Sequence, residues 1–148
     1  MAEENVEIVQ MAAEDYAQVA SLWRSTEGIG LHDDTNSREG ITVYLVRNPG
    51  LSFAARQEGR IVGAALCGHD GRRGYLHHLA VDSMYRRRGI GRALVKACLE
   101  KLGSVGICKC NIFLFAHNKA AEDFWKQIGW NERPDLKVLQ KATAAEML

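Results

Sequence analysis

YLHHLAVDSMYRRRGIGR, residues 75–92, holds the transition on which the reading of this chain turns. An apolar run closes in Ala80-Val81-Asp82, a short turn follows, and Arg86-Arg87-Arg88-Gly89-Ile90-Gly91 opens an amphipathic helix. From Ile90 the apolar residues recur at Ala93, Leu94, Ala97 and Cys98, the period of one helix face. A glycine-bearing turn from strand into helix leaves backbone N–H groups unpaired and adds the positive end of the helix dipole. It also lets a ligand come close to the main chain. Arg86, Arg87, Arg88 and Arg92 crowd the same spot. The expected ligand is therefore polyanionic, a phosphorylated cofactor.

Spacing separates the common phosphate binders. A P-loop requires G-x-x-x-x-G-K-[ST], and the chain has no Gly-Lys-Ser or Gly-Lys-Thr. A dinucleotide fingerprint requires a third glycine, but Arg92, Ala93 and Leu94 follow Gly91. What remains is Arg-x-x-Gly-x-Gly at positions 86, 89 and 91. With the Leu79-Ala80-Val81 triplet before it, this resembles the GNAT superfamily of acyl-coenzyme A N-acyltransferases, whose cofactor motif reads Gln/Arg-x-x-Gly-x-Gly/Ala. The segment Asn118-Lys119-Ala120-Ala121-Glu122-Asp123-Phe124-Trp125-Lys126-Gln127-Ile128-Gly129-Trp130 is similar to the second signature of that family: an Asn, a helix with an aromatic pair, then Gly-aromatic.

Composition narrows the class. The 148 residues suit a single acetyltransferase-type domain over 1–148, and 47% hydrophobic with 25% charged residues is ordinary for a globular protein. Nineteen basic against eighteen acidic side chains leave a net charge of +1, which disfavours nucleic acid as the main partner. A run of three arginines is nonetheless also compatible with a solvated surface or an RNA contact. No apolar run reaches membrane-span length, and MAEENVEIVQ does not read as a signal peptide, so the expected location is cytoplasmic. Cys67, Cys98, Cys108 and Cys110 read as buried thiols of a reducing compartment, with Cys108 and Cys110 on a strand. No metal site is expected.

The pass along the chain predicts a strand at Val6–Gln10, a helix at Ala13–Arg24, a polar loop at Thr26–Asn36 and a helix at Ser37–Asn48 capped by Ser37. Strands at Leu51–Gln57 and Arg60–Gly68 are joined by Glu58-Gly59, and a strand at Tyr75–Asp82 follows the turn His69–Gly74. After the cofactor helix, to about Leu102, come a strand at Lys109–Ala116, a helix at Asn118–Ile128 and a final strand near Leu136–Lys141. The class is α/β, with a mixed, largely antiparallel central sheet flanked by about four helices. The resemblance adds that strands 75–82 and 109–116 run parallel and splay apart at their C-terminal ends.

The resemblance also implies acetyl-coenzyme A as acyl-donor cosubstrate and an amine-bearing acceptor, small molecule or peptide. Its pantetheine arm would bond the backbone of Leu79 and Val81 like an added strand. Its pyrophosphate would rest on N–H groups from Arg87 through Arg92, around Gly89, Ile90 and Gly91, with Arg86 in the leading position. A backbone N–H near Leu79–Ala80 would hold the oxyanion, and Asn118 would touch the cofactor; a plainer reading of Asn118 is a helix N-cap. Homodimers are common in proteins of this resemblance.

Two positions depart from the family. Trp125 stands where many members carry a tyrosine that protonates the leaving thiolate, and an indole N–H is no acid for that step. Phe113 stands where members related to the ribosomal-protein alanine acetyltransferases carry a glutamate base. The base candidates are His77, His78, Glu27 and Asp82. Strand alternation puts Tyr75, His77 and Leu79 on one face and His78 on the other. Some arylalkylamine acetyltransferases of the family resemble this chain in having a histidine two residues before the triplet, His77 here, which favours His77, then Glu27 in the loop walling the acceptor cleft. The turn His69-Asp70-Gly71-Arg72-Arg73 reads as a hairpin tip or as a reader of an acidic acceptor. Trp125 and Phe113 also keep a rival class open, a non-catalytic acyl-coenzyme A binding or sensing module.

Overall fold

Strands β1 (Glu7–Gln10), β2 (Phe53–Gln57), β3 (Arg60–His69), β4 (Gly74–Val81) and β5 (Cys110–Ile112) lie in that order in one sheet. The first three pairings are antiparallel and β4–β5 is parallel, the mixed sheet expected from the element order. The computed structural model describes residues 5–26, 28–29 and 34–144. The chain divides into two compact units, Met1–Phe115 and Ala116–Leu148.

Within the first unit, β3 is the centre. Its residues 61 to 68 are all buried, because both faces of the strand are covered and alternation has no solvent side to show. A Cβ placed on Gly63 would lie 3.1 Å from Ile90 and Leu94 of α3 (Ile90–Ser104), whereas one on Gly68 would lie 2.5 Å from the Tyr44 hydroxyl of α2 (Arg38–Arg47). On the side of α2 and α1 (Tyr16–Arg24), Val19, Leu22, Trp23 and Ile41 pack with Ala54, Ala64, Leu66 and Ala80. The β2–β3 connection is the two-residue turn Glu58-Gly59 with φ of 50° and 81°, the doubly left-handed form whose twist suits a hairpin.

Local chemistry sets the helix ends. Ser37 Oγ accepts the Gly40 N–H at 3.0 Å and opens α2, which stops just before Asn48-Pro49. The predicted helix from Ala13 begins as a 3₁₀ turn, Ala13–Asp15, because the Asp15 carboxylate bonds back to Ala12 N at 2.9 Å and pairs with Arg56 at 2.7 Å. On α3, Leu94 and Cys98 are buried as the stripe requires, and Ile90, Val95 and Leu102 join them.

Three expectations need correction. The strand read over 109–116 is paired only at Cys110–Ile112, since apolar character marks burial tendency and not the reach of a partner strand. Cys108 is accordingly exposed and outside the strand, while Cys67 and Cys98 are buried as expected. Residues 136–141 form no strand: Leu136 N bonds Arg133 O at 3.2 Å, an Arg133–Asp135 ion pair tightens the turn, and Leu139 is 93% exposed. Alternating apolar residues do not make a strand where no ladder is offered.

In the second unit, α4 (Lys119–Gln127) starts at Asn118, whose Oδ1 accepts Ala121 N–H at 3.1 Å. The buried Trp125 meets Phe124 and Trp130 edge to face at 5.3 and 4.8 Å, so its indole serves packing. Among the described residues no helix is long and apolar enough to cross a membrane.

Candidate active site

The site is organised by an irregularity in β4. Ala64 pairs with Ala80 and Leu66 with His77, so His78 and Leu79 together face the single residue Ala65. This is a β-bulge, and His78 takes the left-handed conformation, φ 56°, that absorbs it. The bulge overturns the alternation expected for this strand. The His77 ring lies 6.2 Å from Tyr44 of α2, and the His78 ring lies 5.0 Å from Trp23 of α1. Both histidines therefore sit on the α1–α2 side, with ring centroids 6.4 Å apart.

The bulge is held from two directions. Trp23 is fully buried, and its indole Nε1–H donates to the His78 carbonyl at 2.7 Å. The His78 ring nitrogen Nε2 meets Asn36 Oδ1 at 2.8 Å, and the Asn36 carbonyl accepts the Tyr16 hydroxyl at 2.8 Å. Trp23 lies near the end of α1 and Asn36 just before α2, so the connection between those helices is tied to the bulged residue at both ends. His78 is thus engaged at both its carbonyl and its ring, whereas His77 lies between the Tyr44 and Tyr75 rings. Burial pushes the His77 imidazole below its ordinary range, which keeps the ring neutral and able to take a proton at neutral pH.

The β4–β5 pair opens beside this bulge. Pairing covers Gly74↔Cys110, Tyr75↔Asn111 and Leu76↔Ile112 and then ends. From His77 to Val81, β4 has no partner on that side among the described residues, which is the splayed edge expected. Leu79 and Val81 are half-buried along it, and Ala80 is turned into the core. The Val81 carbonyl accepts Arg86 Nε at 3.1 Å, and its second lone pair is available to a further donor.

The turn after β4 carries the residues read from the sequence as an anion cradle. Asp82 Oδ1 accepts Met84 N–H at 2.9 Å, starting the 3₁₀ turn Ser83–Tyr85, and Oδ2 pairs with Arg60 at 2.9 Å. With both oxygens committed, Asp82 is a poor base. Gly89 is the N-cap of α3 at φ 81°, and a Cβ there would meet nothing within 4 Å. The N–H groups of Ile90, Gly91 and Arg92 belong to the helix's first turn and have no intrahelical acceptor. Arg86, Arg87, Arg88 and Arg92 are exposed around it, with Arg88 lying 5.0 Å over the Tyr85 ring. Open space, orphan donors and exposed cationic side chains are the features a pyrophosphate site requires.

Glu27 lies outside the described residues, as does Asp33. The basic turn 69–73 resolves toward a hairpin tip: Asp70 Oδ1 accepts the Arg72 and Arg73 N–H groups, both at 2.8 Å, and those bonds hold its carboxyl below the usual range. Burial pushes the Cys110 thiol up to about 12, and a bond to Cys98 together with burial raises Cys67, so both thiols are held away from the thiolate form. No three metal-binding side chains gather among the described residues. Sequence reasoning did not single out Trp23, Asn36 and Tyr44 as neighbours of the β4 histidines, because those contacts are long-range and no local pattern signals them.

Comparison with known proteins bears on the family and the fold. Over 136 residues the chain is 28% identical to an acetyltransferase of Sodalis glossinidius (strain morsitans), covering 92% of this chain and 94% of that one. It is 30% identical over 136 residues to an acetyltransferase of Yersinia pestis (strain Pestoides F), with the same 92% and 94% coverage. PaiA N-acetyltransferase from Thermoplasma acidophilum, solved in complex with coenzyme A, shares the fold with a TM-score of 0.74 at 18% identity, over 86% of this chain and 90% of that chain. A model of the Acetyltransferase (GNAT) family matches residues 14–130. With most of its length matched, from α1 through α4, the chain belongs to the Acetyltransferase (GNAT) family.

Proposed function

We propose that this acetyltransferase moves the acetyl group of acetyl-coenzyme A to a primary amine by direct attack within a ternary complex. The observation that carries the reading is the β4 bulge beside an unpaired strand edge, with the glycine–arginine cradle at the end of the same strand. The backbone of Leu79, Ala80 and Val81 would bond the pantetheine arm, and the loop from Arg86 to Arg92 would hold the phosphates through Gly89, Ile90 and Gly91. Asn118, the N-cap of α4, is the further residue that the family resemblance proposes for a cofactor contact.

The chemistry follows from the groups at the bulge. The amine nitrogen attacks the thioester carbonyl, and its proton passes to His77, directly or through water. A main-chain N–H at Leu79–Ala80 stabilises the oxyanion. The C–S bond then breaks and the thiolate departs without help from Trp125. Glu27 is the second candidate base. The acceptor is a small molecule or peptide, the location is cytoplasmic, and a homodimer is one form open to the protein.

Calorimetric titration with acetyl-coenzyme A and with 3′-dephospho-coenzyme A tests the reading. One saturable site, weakened without the 3′-phosphate, is the expected outcome. The absence of binding would overturn it. Binding with slow hydrolysis, and no acceptor-dependent turnover across a broad amine panel, would support a sensing module instead.

Trp23 supplies a further check. Trp23→Phe keeps the ring but removes the donor to the bulged carbonyl, at a cost of about 1–3 kcal/mol for an orphaned buried acceptor. Urea unfolding should register that loss. Turnover should fall roughly tenfold at unchanged acetyl-coenzyme A affinity, as expected for a group that positions an oxyanion donor.

A further inference from the structure

Four rings form a continuous row where the parallel pair opens. Phe113 lies 6.0 Å from Tyr75, Tyr75 stacks on His77 at 6.5 Å with planes 13° apart, and His77 meets Tyr44 edge-on at 6.2 Å. They come from three places in the chain: the residue just past β5, two positions of β4, and α2. Tyr75 and His77 flank Leu76, the last β4 residue paired to β5. The row therefore begins at the splay and ends beside the bulge.

We propose that this row is the acceptor wall, and that the acceptor is a primary amine carried on a flat aromatic body. The inference rests on the acetyl-transfer reading above and goes on to name the substrate class. Phe113 is 60% exposed, a large ring left in water that a flat apolar guest would cover. Tyr75 and His77 are half-buried and present the next rings inward. A guest lying along Phe113 and Tyr75 would deliver its amino group to His77, the one ring of the row that can accept a proton. Aromatic faces also attract the single ammonium of an arriving amine. No carboxylate belongs to the row, so it offers no partner to the several charges of a polyamine or an amino sugar. Phe113, which stands where some relatives are expected to have a glutamate, exchanges an acidic wall for an apolar one.

The test compares steady-state kcat/KM for 2-phenylethylamine, n-propylamine, spermidine and kanamycin at saturating acetyl-coenzyme A. 2-Phenylethylamine should lead the others by about tenfold or more, the size expected for one good ring contact. Phe113→Ala should remove most of that lead, through KM for the aryl amine, with acetyl-coenzyme A affinity unchanged. Phe113→Leu, which keeps apolar bulk without flatness, should fall between. Preference for spermidine or kanamycin, or a wild-type ratio in Phe113→Ala, would overturn the ring row as acceptor wall while leaving acetyl transfer intact. Absence of acetyl-coenzyme A binding in the same preparation would overturn both.

Discussion

Gly89→Asp should reduce acetyl-coenzyme A affinity by about 100-fold or more while the protein still folds, since a charge a few ångströms from a partly solvated anion costs about 1–4 kcal/mol per facing charge. Gly89 begins α3 at φ 81°, and a Cβ there meets nothing within 4 Å. The space is open, so the substitution introduces no clash. The left-handed backbone costs a non-glycine residue about 1–2 kcal/mol, less for Asp, which adopts this conformation more readily than most. The carboxylate would stand in front of the orphan N–H groups of the first turn, where the phosphates are proposed to sit. It would also cap those donors itself, removing them from the ligand. Gly89→Ala carries the same backbone strain without the charge, so comparing the two by calorimetry separates conformation from electrostatics. Wild-type affinity in Gly89→Asp would refute the phosphate assignment.

His77→Ala should lower kcat by about 100-fold at neutral pH, the lower end of what a positioned general base contributes. Its acetyl-coenzyme A affinity should hold, because His77 faces the rings of Tyr44, Tyr75 and His78 and not the cradle. The pH dependence has a definite sign. Burial lowers the His77 pKa from its ordinary 6.5, so the ring is protonated, and useless as a base, only in acid. Wild-type turnover should climb as pH rises through a value below 6.5 and then level off, with the charged form lost over that window. The alanine variant should lack that limb. A profile unchanged by the substitution would clear His77 of the role and turn attention to Glu27.

The geometry of the glycine–arginine turn and the core helix after it were legible early because their physics is local. Arg-x-x-Gly-x-Gly places orphan donors, a left-handed cap and cationic side chains within seven residues, and each follows from the chain's own geometry. The Ser37 cap, the Glu58-Gly59 hairpin and the buried stripe of α3 are likewise short-range and match the structure. Asn118 as an N-cap was readable in the same way.

The misreadings have one origin. Strand length depends on a partner: the apolar run 109–116 pairs over three residues because β4 diverges after Leu76, and 136–141 pairs with nothing among the described residues. Side-chain direction depends on register, and a single extra residue in β4 reverses it. His78 was assigned to the wrong face for that reason.

From the sequence alone came the element order through α4, the glycine–arginine turn at the start of α3 and the residue types able to take a proton. Only tertiary structure showed how the two histidines differ, because Trp23 and Asn36, 55 and 42 positions away, engage His78 while His77 lies among the rings. Backbone capping and helix polarity act over one turn and are written in neighbouring residues. A bulge and its ties are settled by strands and helices far apart in the chain, whose packing no local pattern encodes.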